Sequence, residues 1–229
     1  MNMRLFSIRV KHELINSYIN FYTQKAQPEL EKAKGCHFAG LLESTEDSRR
    51  LISLTIWESP QNYMEYEQSK VYRNLLEENK LFLAESTELN YIPSEGSSEP
   101  VITTYDITSQ TETSGEFPAN TGKMNVRLLS LKINPDLLKE FEKIYINDVL
   151  PEIKEIKGLR YDFLTESVMD RSEVISITVW DSNEDLDKYI ISGQFKKLLG
   201  KLEHTLLEIE ENMYFIEDKY LMIIGKKFD

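Results

Sequence analysis

Two periods of apolar residues alternate along the chain, and they follow the same order in its two halves. Residues 4–10 and 127–133 are predicted as the first strand of each half. Apolar side chains at helical spacing follow in each half: Leu14, Ile15, Tyr18 and Tyr22, then Leu137, Leu138, Phe141 and Tyr145. The stretches 37–42 and 51–57 predict a hairpin across the polar turn 44–50. A second helix and a closing strand complete the order β-α-β-β-α-β in each half.

Proline and serine mark where these elements begin and end. Pro28 and Pro151 predict a break in the first helix of each half, and Ser59 and Ser182 predict the cap of the second. Closing strands are predicted at residues 89–92 and 213–216, and extension strands at 101–107 and 220–224. Flexible linkers are predicted at residues 93–100 and 108–122. We expect each extension strand to pair with the sheet of the other half.

The two halves are copies of one sequence. Residues 4–92 align with 127–215 without a gap, and about 26 of roughly 89 positions are identical. This duplication predicts a first repeat with its extension strand at residues 1–107, a linker at 108–123, and a second repeat with its extension strand at 124–229.

A sheet with helices on one face leaves its other face in need of cover, and a second such sheet supplies that cover. The predicted fold class is therefore α+β, with two ferredoxin-like β-α-β-β-α-β repeats forming one dimeric-type α+β barrel within a single chain. Fusion makes intramolecular the contact that separate copies would make by dimerising. We expect a monomeric pseudo-dimer of 26.8 kDa, which light scattering would distinguish from a dimer of chains.

The charge of the chain excludes one class of partner. Its formal net charge is −12, and no cluster of lysine and arginine is present, so nucleic acid is not expected to bind. Cys36 is the single cysteine, which rules out an intrachain disulfide. Residues 1–10 lack the apolar core of a secretion signal, and the apolar run at 220–224 is too short to cross a membrane. These features predict a cytoplasmic protein without a membrane partner.

Three stretches of the sequence carry a family resemblance. They are the run from Leu51 to Tyr66 with its Trp57-Glu58-Ser59-Pro60 segment, the run Thr178-Val179-Trp180-Asp181-Ser182, and the strand at residues 101–107. Together they resemble the antibiotic biosynthesis monooxygenase (ABM) superfamily, and they are most similar to its bacterial haem-degrading branch. The resemblance covers nearly all of the chain outside the linkers.

The haem-degrading branch implies three site residues that this sequence replaces. An asparagine on the first strand falls near Leu5 and Leu128, and a tryptophan on the second helix is matched by Tyr66 and Tyr189. The axial histidine position falls on Leu76 and Leu199. Because leucine cannot bind iron, the sequence argues against haem cleavage of the known type in either repeat.

Histidines offer little metal chemistry. His12, His37 and His204 have no ligand spacing that connects them. Only His204 is placed on a late helix on the expected pocket side, about five residues beyond the family's ligand position, which matches one helical face poorly. A solvent-facing histidine on the helix is the more common arrangement, and we keep His204 only as a weak candidate for a haem ligand, with no other metal site.

One row of residues predicts a small-molecule pocket. Strand alternation puts Ser53, Thr55 and Trp57 on one face. Small hydroxyls beside a large aromatic ring suit an apolar cleft with a few polar groups, although a core tryptophan with hydroxyls bonded to the backbone is the more common arrangement. The candidate residues in the two repeats are Tyr22, Ser53, Thr55, Trp57, Tyr66, Tyr145, Ser176, Thr178, Trp180 and Tyr189.

Two functions follow as hypotheses. The resemblance implies a monooxygenase that acts on a flat aromatic or tetrapyrrole molecule, either without a cofactor or with haem. The alternative is a ligand-binding or stress-associated α+β barrel that has lost its catalytic residues. The first repeat carries Tyr18 and Tyr72 where the second has Phe141 and Phe195, so we expect a ligand to prefer residues 1–107.

Overall fold

A computed structural model describes residues 1–83, 88–89, 92–93, 101–112, 123–217 and 221–223. The chain divides into two compact units. Unit 1 contains residues 1–105 and 215–229, and unit 2 contains residues 106–214.

Strands and helices follow the predicted order in both halves. The first half contains β1 (Asn2–Arg9), α1 (Ile15–Phe21), α2 (Gln27–Lys32), β2 (Cys36–Ser44), β3 (Arg50–Trp57), α3 (Pro60–Gln68), α4 (Lys70–Asn79), β4 (Glu88–Leu89), β5 (Ile92–Pro93) and β6 (Val101–Glu112). The second contains β7 (Lys123–Ile133), α5 (Leu138–Ile144), α6 (Leu150–Ile153), β8 (Leu159–Ser167), β9 (Glu173–Trp180), α7 (Asn183–Ile191), α8 (Gln194–Leu202), β10 (Leu206–Glu217) and β11 (Leu221–Ile223).

The sheet of unit 1 is centred on β3. Strand β3 pairs antiparallel with β1 on one side and with β2 on the other. Strand β11 pairs antiparallel with β2, so the extension of the second repeat joins the sheet of the first, as predicted. In unit 2, β9 lies between β7 and β8 in the same antiparallel arrangement, and β10 is the next strand beside β7.

The predicted closing strand at residues 89–92 is wrong. Within the described residues, β4 and β5 are two-residue strands that pair with each other, and the strand beside β1 in the sheet order is β6. Proline at 93 has no N–H to donate, which makes this segment a poor sheet strand. Strand β6 also extends to Glu112, into residues predicted as linker, and from Asp106 onward it belongs to unit 2. The predicted linker residues 94–100 and 113–122 lie outside the described residues.

In each half, the first helical segment continues through a π-helical turn before its proline instead of breaking there. A π-helical turn at Tyr22–Ala26 joins α1 to α2, and a second at Tyr145–Val149 joins α5 to α6. Pro28 and Pro151 lack the N–H that would close the preceding α-helical turn, and a π turn accommodates the missing bond. Each π turn begins with the tyrosine that the sequence singled out as a pocket candidate.

Two glycines connect the first helices to β2 and β8. Gly35 and Gly158 have φ angles of +76° and +79°, in the left-handed region that other residues rarely adopt. A Cβ at Gly158 would lie 2.4 Å from the Asp185 side chain at the start of α7. The backbone therefore passes closely under the helix that carries Tyr189.

We predict that Gly158→Ala lowers the free energy of unfolding by roughly 2 kcal/mol, because the change combines an unfavourable φ with a steric clash. Gly200→Ala is the matched control. Gly200 is an exposed residue of α8, and a Cβ there would meet nothing within 4 Å. The control should gain roughly 0.5–1 kcal/mol from the better helix propensity of alanine. Urea unfolding followed by circular dichroism measures both, and a Gly158→Ala protein as stable as the wild type would contradict the prediction.

Candidate functional site

Unit 1 contains a cavity between β3 and the helices, with about 80 Å³ of free volume. One water molecule needs roughly 10–15 Å³ by the same measure, so the space accepts a small molecule. The walls are mostly aromatic and aliphatic. The lining residues are Arg4, Phe6, Tyr18, Phe21, Tyr22, Ala26, Leu30, Ser53, Thr55, Trp57, Tyr66, Tyr72, Leu75, Leu76, Asn79 and Ile102.

Trp57 is fixed over this cavity by its own strand. Its indole Nε1 donates a hydrogen bond to the Thr55 hydroxyl at 2.8 Å, and the indole is 1% exposed. The Tyr66 ring from α3 packs against it with 5.4 Å between ring centroids. Tyr72 from α4 then meets Tyr66 edge to face at 5.3 Å. Helices α3 and α4 thus extend the indole into a continuous aromatic wall.

Arg4 brings a buried positive charge to the same cavity. Its guanidinium pairs with Glu67 and lies 4.8 Å from the centroid of the Tyr63 ring. Only 8% of the Arg4 side chain is exposed, and its Nε has no hydrogen-bond partner. The residue sits opposite Thr55 in the register of β1 and β3, so strand pairing directs it to the cavity face.

The tyrosines of this cavity are held in the neutral form. Burial raises the pKa of Tyr22, Tyr66 and Tyr18 well above the ordinary value of 10.0. Ser53 is close enough to lower the pKa of Tyr22 in part, but the geometry does not complete a hydrogen bond, and the Tyr22 hydroxyl has no partner. These phenols can donate hydrogen bonds, but they are poor bases near neutral pH.

Three buried donors on residues that line this cavity are therefore without partners. They are the Arg4 Nε, the Tyr22 hydroxyl and the Asn79 amide nitrogen. Tyr22 is 1% exposed and Asn79 is 3% exposed. Leaving a buried donor unpaired costs about 1–3 kcal/mol, which a ligand oxygen would remove. The site is thus an apolar cavity with an excess of hydrogen-bond donors.

Unit 2 contains a related cavity with different polar groups and about 60 Å³ of free volume. Trp180 Nε1 donates to the Thr178 hydroxyl at 2.9 Å, and the Tyr189 ring packs on the indole at 5.0 Å. Arg127 pairs with Glu211 at 2.5 Å and lies over the Phe195 ring. The lining residues are Arg127, Leu129, Leu131, Tyr145, Val149, Ile153, Ile156, Leu159, Ser176, Thr178, Trp180, Tyr189, Phe195, Leu198, Leu199 and Leu202.

The polar feature specific to unit 2 is a buried carboxyl. The Tyr145 hydroxyl donates to Asp162 Oδ2 at 2.8 Å, and Asp162 is 0% exposed. Burial raises the pKa of Asp162 from 3.8 to about 7, although the hydrogen bond from Tyr145 partly opposes this rise. Burial and the Asp162 charge raise the pKa of Tyr145. Ala39 occupies the corresponding position of the first repeat.

All ten candidate pocket residues line one of these two cavities. Sequence analysis missed Arg4, Arg127, Asn79 and Asp162. The signal for Asp162 was a charged residue between Tyr161 and Phe163 in a buried strand. A bulge between Leu159 and Tyr161 sets Asp162 opposite Thr178, on the face of the tryptophan row.

His204 faces solvent, the more common position for a helix histidine, and is not on the pocket side. The histidine lies in the short 3₁₀ turn after α8, and its side chain is 54% exposed. Its Nε2 is 3.0 Å from Glu140 Oε1, and it does not line the unit 2 cavity. The turn after α8 rotates the side chain to the surface.

The residues of both cavities do not fit haem iron. Among the described residues, no histidine, cysteine or methionine lines either cavity, and Leu76 and Leu199 occupy the positions implied for the axial ligand. The tyrosines that line them are held as neutral phenols, whereas an iron ligand must be a phenolate. Burial raises the pKa of the nearby Cys36 thiol to about 12. No group of three or more metal-ligating side chains occurs in the described part of the chain.

We predict that Asp162→Asn alters how stability depends on pH. The folded protein keeps the Asp162 proton up to about pH 7, whereas the unfolded chain loses it near 3.8. Folded wild type therefore loses stability as pH rises through this window, by up to roughly 4 kcal/mol. Urea unfolding of both proteins should show that the free energy of unfolding of the variant, relative to that of the wild type, rises by this amount between about pH 4 and pH 8. Parallel pH profiles would contradict a neutral buried carboxyl.

Solved structures share this fold at low sequence identity. A protein of Lactobacillus acidophilus named "putative monooxygenase" has a TM-score of 0.71 and 7% identity, with 98% of this chain and 99% of that chain covered. An anthrone oxidase-like protein has a TM-score of 0.65 and 12% identity, with coverage of 99% and 94%. A haem-degrading enzyme of Listeria monocytogenes reaches a TM-score of 0.46 at 14% identity, covering 92% and 97%, which is too low to support an argument. No curated protein matches the chain.

The predicted fold class is confirmed by the first two of these structures and by the sequence family that matches. No helix in the described ranges is long and apolar enough to cross a membrane. Residues 1–78 and 124–200 each match the antibiotic biosynthesis monooxygenase (ABM) domain, so the match falls once in each repeat and covers more than half of the chain. The chain therefore belongs to the antibiotic biosynthesis monooxygenase family, as two ferredoxin-like ABM units in one polypeptide.

Proposed function

We propose that this protein is a monooxygenase that binds a flat, oxygen-bearing aromatic molecule in the unit 1 cavity and oxygenates it without haem or another bound metal. The observation that carries the proposal is the Tyr22 hydroxyl, which is buried, unpaired and part of an aromatic cavity. A ligand carbonyl or enolate oxygen is the acceptor that this hydroxyl lacks.

The cavity walls favour a planar ligand. Trp57, Tyr66 and Tyr72 form a stepped aromatic surface, and Phe21 contributes from α1. Aromatic rings pack well in offset or edge-to-face contacts, so a fused-ring molecule gains both apolar burial and ring contacts. At about 80 Å³ the cavity is smaller than the roughly 150 Å³ that encloses a benzene molecule, so a fused-ring ligand would extend beyond it, and a tetrapyrrole would fit less well still.

The three unpaired donors supply the chemistry. A hydrogen bond from Tyr22, or from either of the other two unpaired donors, to a ligand oxygen would stabilise negative charge on that oxygen as a carbon acid loses its proton. The proton leaves to solvent, since the described lining residues include no group that is a base near neutral pH. The resulting enolate reacts with O₂ itself.

Anthrone is the test substrate that this chemistry favours, and the fold likeness to an anthrone oxidase-like protein supports the choice. Anthrone loses both hydrogens of its CH₂ group and gains one oxygen atom to become anthraquinone. The second oxygen atom leaves as water. The substrate supplies all the electrons, so the reaction needs no further reductant.

A protein that binds an aromatic ligand without turnover is the second candidate. It is favoured by the absence of a base among the described residues that line the unit 1 cavity. Oxygen uptake separates the two candidates, because binding alone consumes no O₂.

We predict that Trp57→Ala weakens anthrone binding by roughly tenfold, and that Trp180→Ala weakens it less. Trp57 lines the same cavity as the three unpaired donors, whereas the unit 2 cavity has Phe195 and Leu202 in place of Tyr72 and Asn79. Calorimetric titration gives the affinities, an oxygen electrode gives the turnover, and unfolding free energies establish equal losses of stability. Equal losses of affinity, or a larger one at Trp180, would contradict the assignment to unit 1.

A further inference from the structure

Asp162 is a buried carboxyl with one oxygen in use and one free. Its Oδ2 accepts from the Tyr145 hydroxyl at 2.8 Å, and its Oδ1 has no hydrogen-bond partner. The residue lies on β8 with 0% exposure. A buried carboxylate with a single hydrogen bond is unfavourable, so this group has a strong tendency to take up a proton.

Tyr145 connects this carboxyl to the unit 2 cavity. The tyrosine lines the cavity, and its hydroxyl points its proton at Asp162. The hydroxyl oxygen has a remaining acceptor site, because a phenol oxygen can donate one hydrogen bond and accept another. A ligand O–H in the cavity can therefore donate to Tyr145 while Tyr145 donates to Asp162.

No opposing cation is bonded to this pair in the described part of the chain. Tyr189 on α7 is the other titratable group that bears on Asp162, and burial, with the Asp162 charge contributing, raises the pKa of Tyr189 to about 12. Arg127 on β7 lines the cavity; its Nε pairs with Glu211 and its guanidinium packs on Phe195, while its Nη2 has no hydrogen-bond partner. The Asp162 carboxylate is thus the final acceptor in the series of hydrogen bonds that runs from the ligand through Tyr145.

We propose that the unit 2 cavity is a second ligand site, which binds the weakly acidic hydroxyl of an aromatic alcohol through Tyr145 and transfers its proton to Asp162. The ligand O–H proton moves to the Tyr145 oxygen as the Tyr145 proton moves to Asp162, leaving an aryloxide and a neutral carboxyl. This proposal rests on the proposed function only for the aromatic class of ligand. It assigns different polar groups to the two cavities, because unit 1 presents three unpaired donors, whereas unit 2 combines one unpaired donor, Arg127 Nη2, with the acceptor oxygen of Tyr145.

The raised pKa of Asp162, about 7, suits this role. A carboxyl that titrates near neutral pH is half deprotonated when the ligand arrives and can hold the proton that it receives. In the first repeat, Ala39 replaces this residue and the corresponding Tyr22 hydroxyl has no acceptor. The same tyrosine position is therefore a pure donor in one unit and a proton relay in the other.

The chain allows each cavity to be observed separately. It contains two tryptophans, one in each cavity wall. In the full-length Trp57→Phe protein, Trp180 emission reports the unit 2 cavity, and in Trp180→Phe, Trp57 emission reports unit 1. The probe is 2-naphthol, an aromatic alcohol that stays neutral below about pH 8 and quenches tryptophan by energy transfer.

In the Trp57→Phe protein, we expect the affinity for 2-naphthol to fall roughly tenfold between about pH 8 and pH 5.5, as the Asp162 carboxylate gains a proton and loses its acceptor role. Adding Asp162→Asn should give the weak affinity at every pH. Adding Asp148→Asn, an exposed aspartate in the π turn of Tyr145, is the matched control and should keep the pH dependence. Adding Tyr145→Phe should abolish it as well, which provides an independent variant if Asp162→Asn folds poorly.

Three outcomes would overturn the proposal. One is a pH dependence that survives in both Asp162→Asn and Tyr145→Phe, which would make the pair structural. Another is a loss in Asp148→Asn as large as in Asp162→Asn. The third is quenching of Trp57 but not of Trp180, which would leave the unit 1 site intact and remove the unit 2 site. Absence of quenching in both single-tryptophan proteins would instead count against the proposed function as a whole.

Discussion

The hydrogen bond from each tryptophan to the threonine two residues before it fixes both cavities. A buried indole N–H needs an acceptor, and strand alternation places the Thr55 hydroxyl on the same face as Trp57. With its N–H satisfied inside the strand, the indole needs no polar group from the helices and packs against the tilted ring of Tyr66. The same arrangement of Trp180, Thr178 and Tyr189 recurs in unit 2. The core tryptophan and the pocket wall, which the sequence offered as alternatives, are one and the same structure.

The sequence predicted the parts of the site that depend on periodicity. The row of Ser53, Thr55 and Trp57 follows from the two-residue period of a strand, and Tyr22 and Tyr66 follow from helical spacing. Features that depend on backbone irregularity were not predictable in this way. The π turn at Pro28 determines how Tyr22 approaches the cavity, and the bulge after Leu159 sets the face of the residues that follow it. Pairing between strands distant in sequence also cannot be predicted from local periodicity. For this reason the sequence predicted residues 89–92 as the closing strand, in the position beside β1 that β6 occupies.

Duplication gave one scaffold two polar chemistries. The walls of both cavities keep the tryptophan, the small hydroxyls and one arginine, while the positions around them differ. Asn79 becomes Leu202 and Tyr72 becomes Phe195, which removes polar groups from unit 2, whereas Ala39 becomes Asp162, which adds an acceptor. None of these changes disturbs the tryptophan–threonine hydrogen bond. The fold therefore tolerates exchange of its polar groups as long as the strand that holds the indole is intact.

The most direct test of the account compares two ligands of the same shape in the unit 1 cavity. Anthraquinone and anthracene share three fused rings, but only anthraquinone offers carbonyl oxygens to the Tyr22 hydroxyl. Quenching of Trp57 in the Trp180→Phe protein should show at least roughly fivefold tighter binding of anthraquinone, the size expected for one buried hydrogen bond. Tyr22→Phe should reduce that preference several-fold without weakening the binding of anthracene. An unchanged preference in Tyr22→Phe, or no preference in the parent protein, would contradict recognition of a ligand oxygen by this hydroxyl.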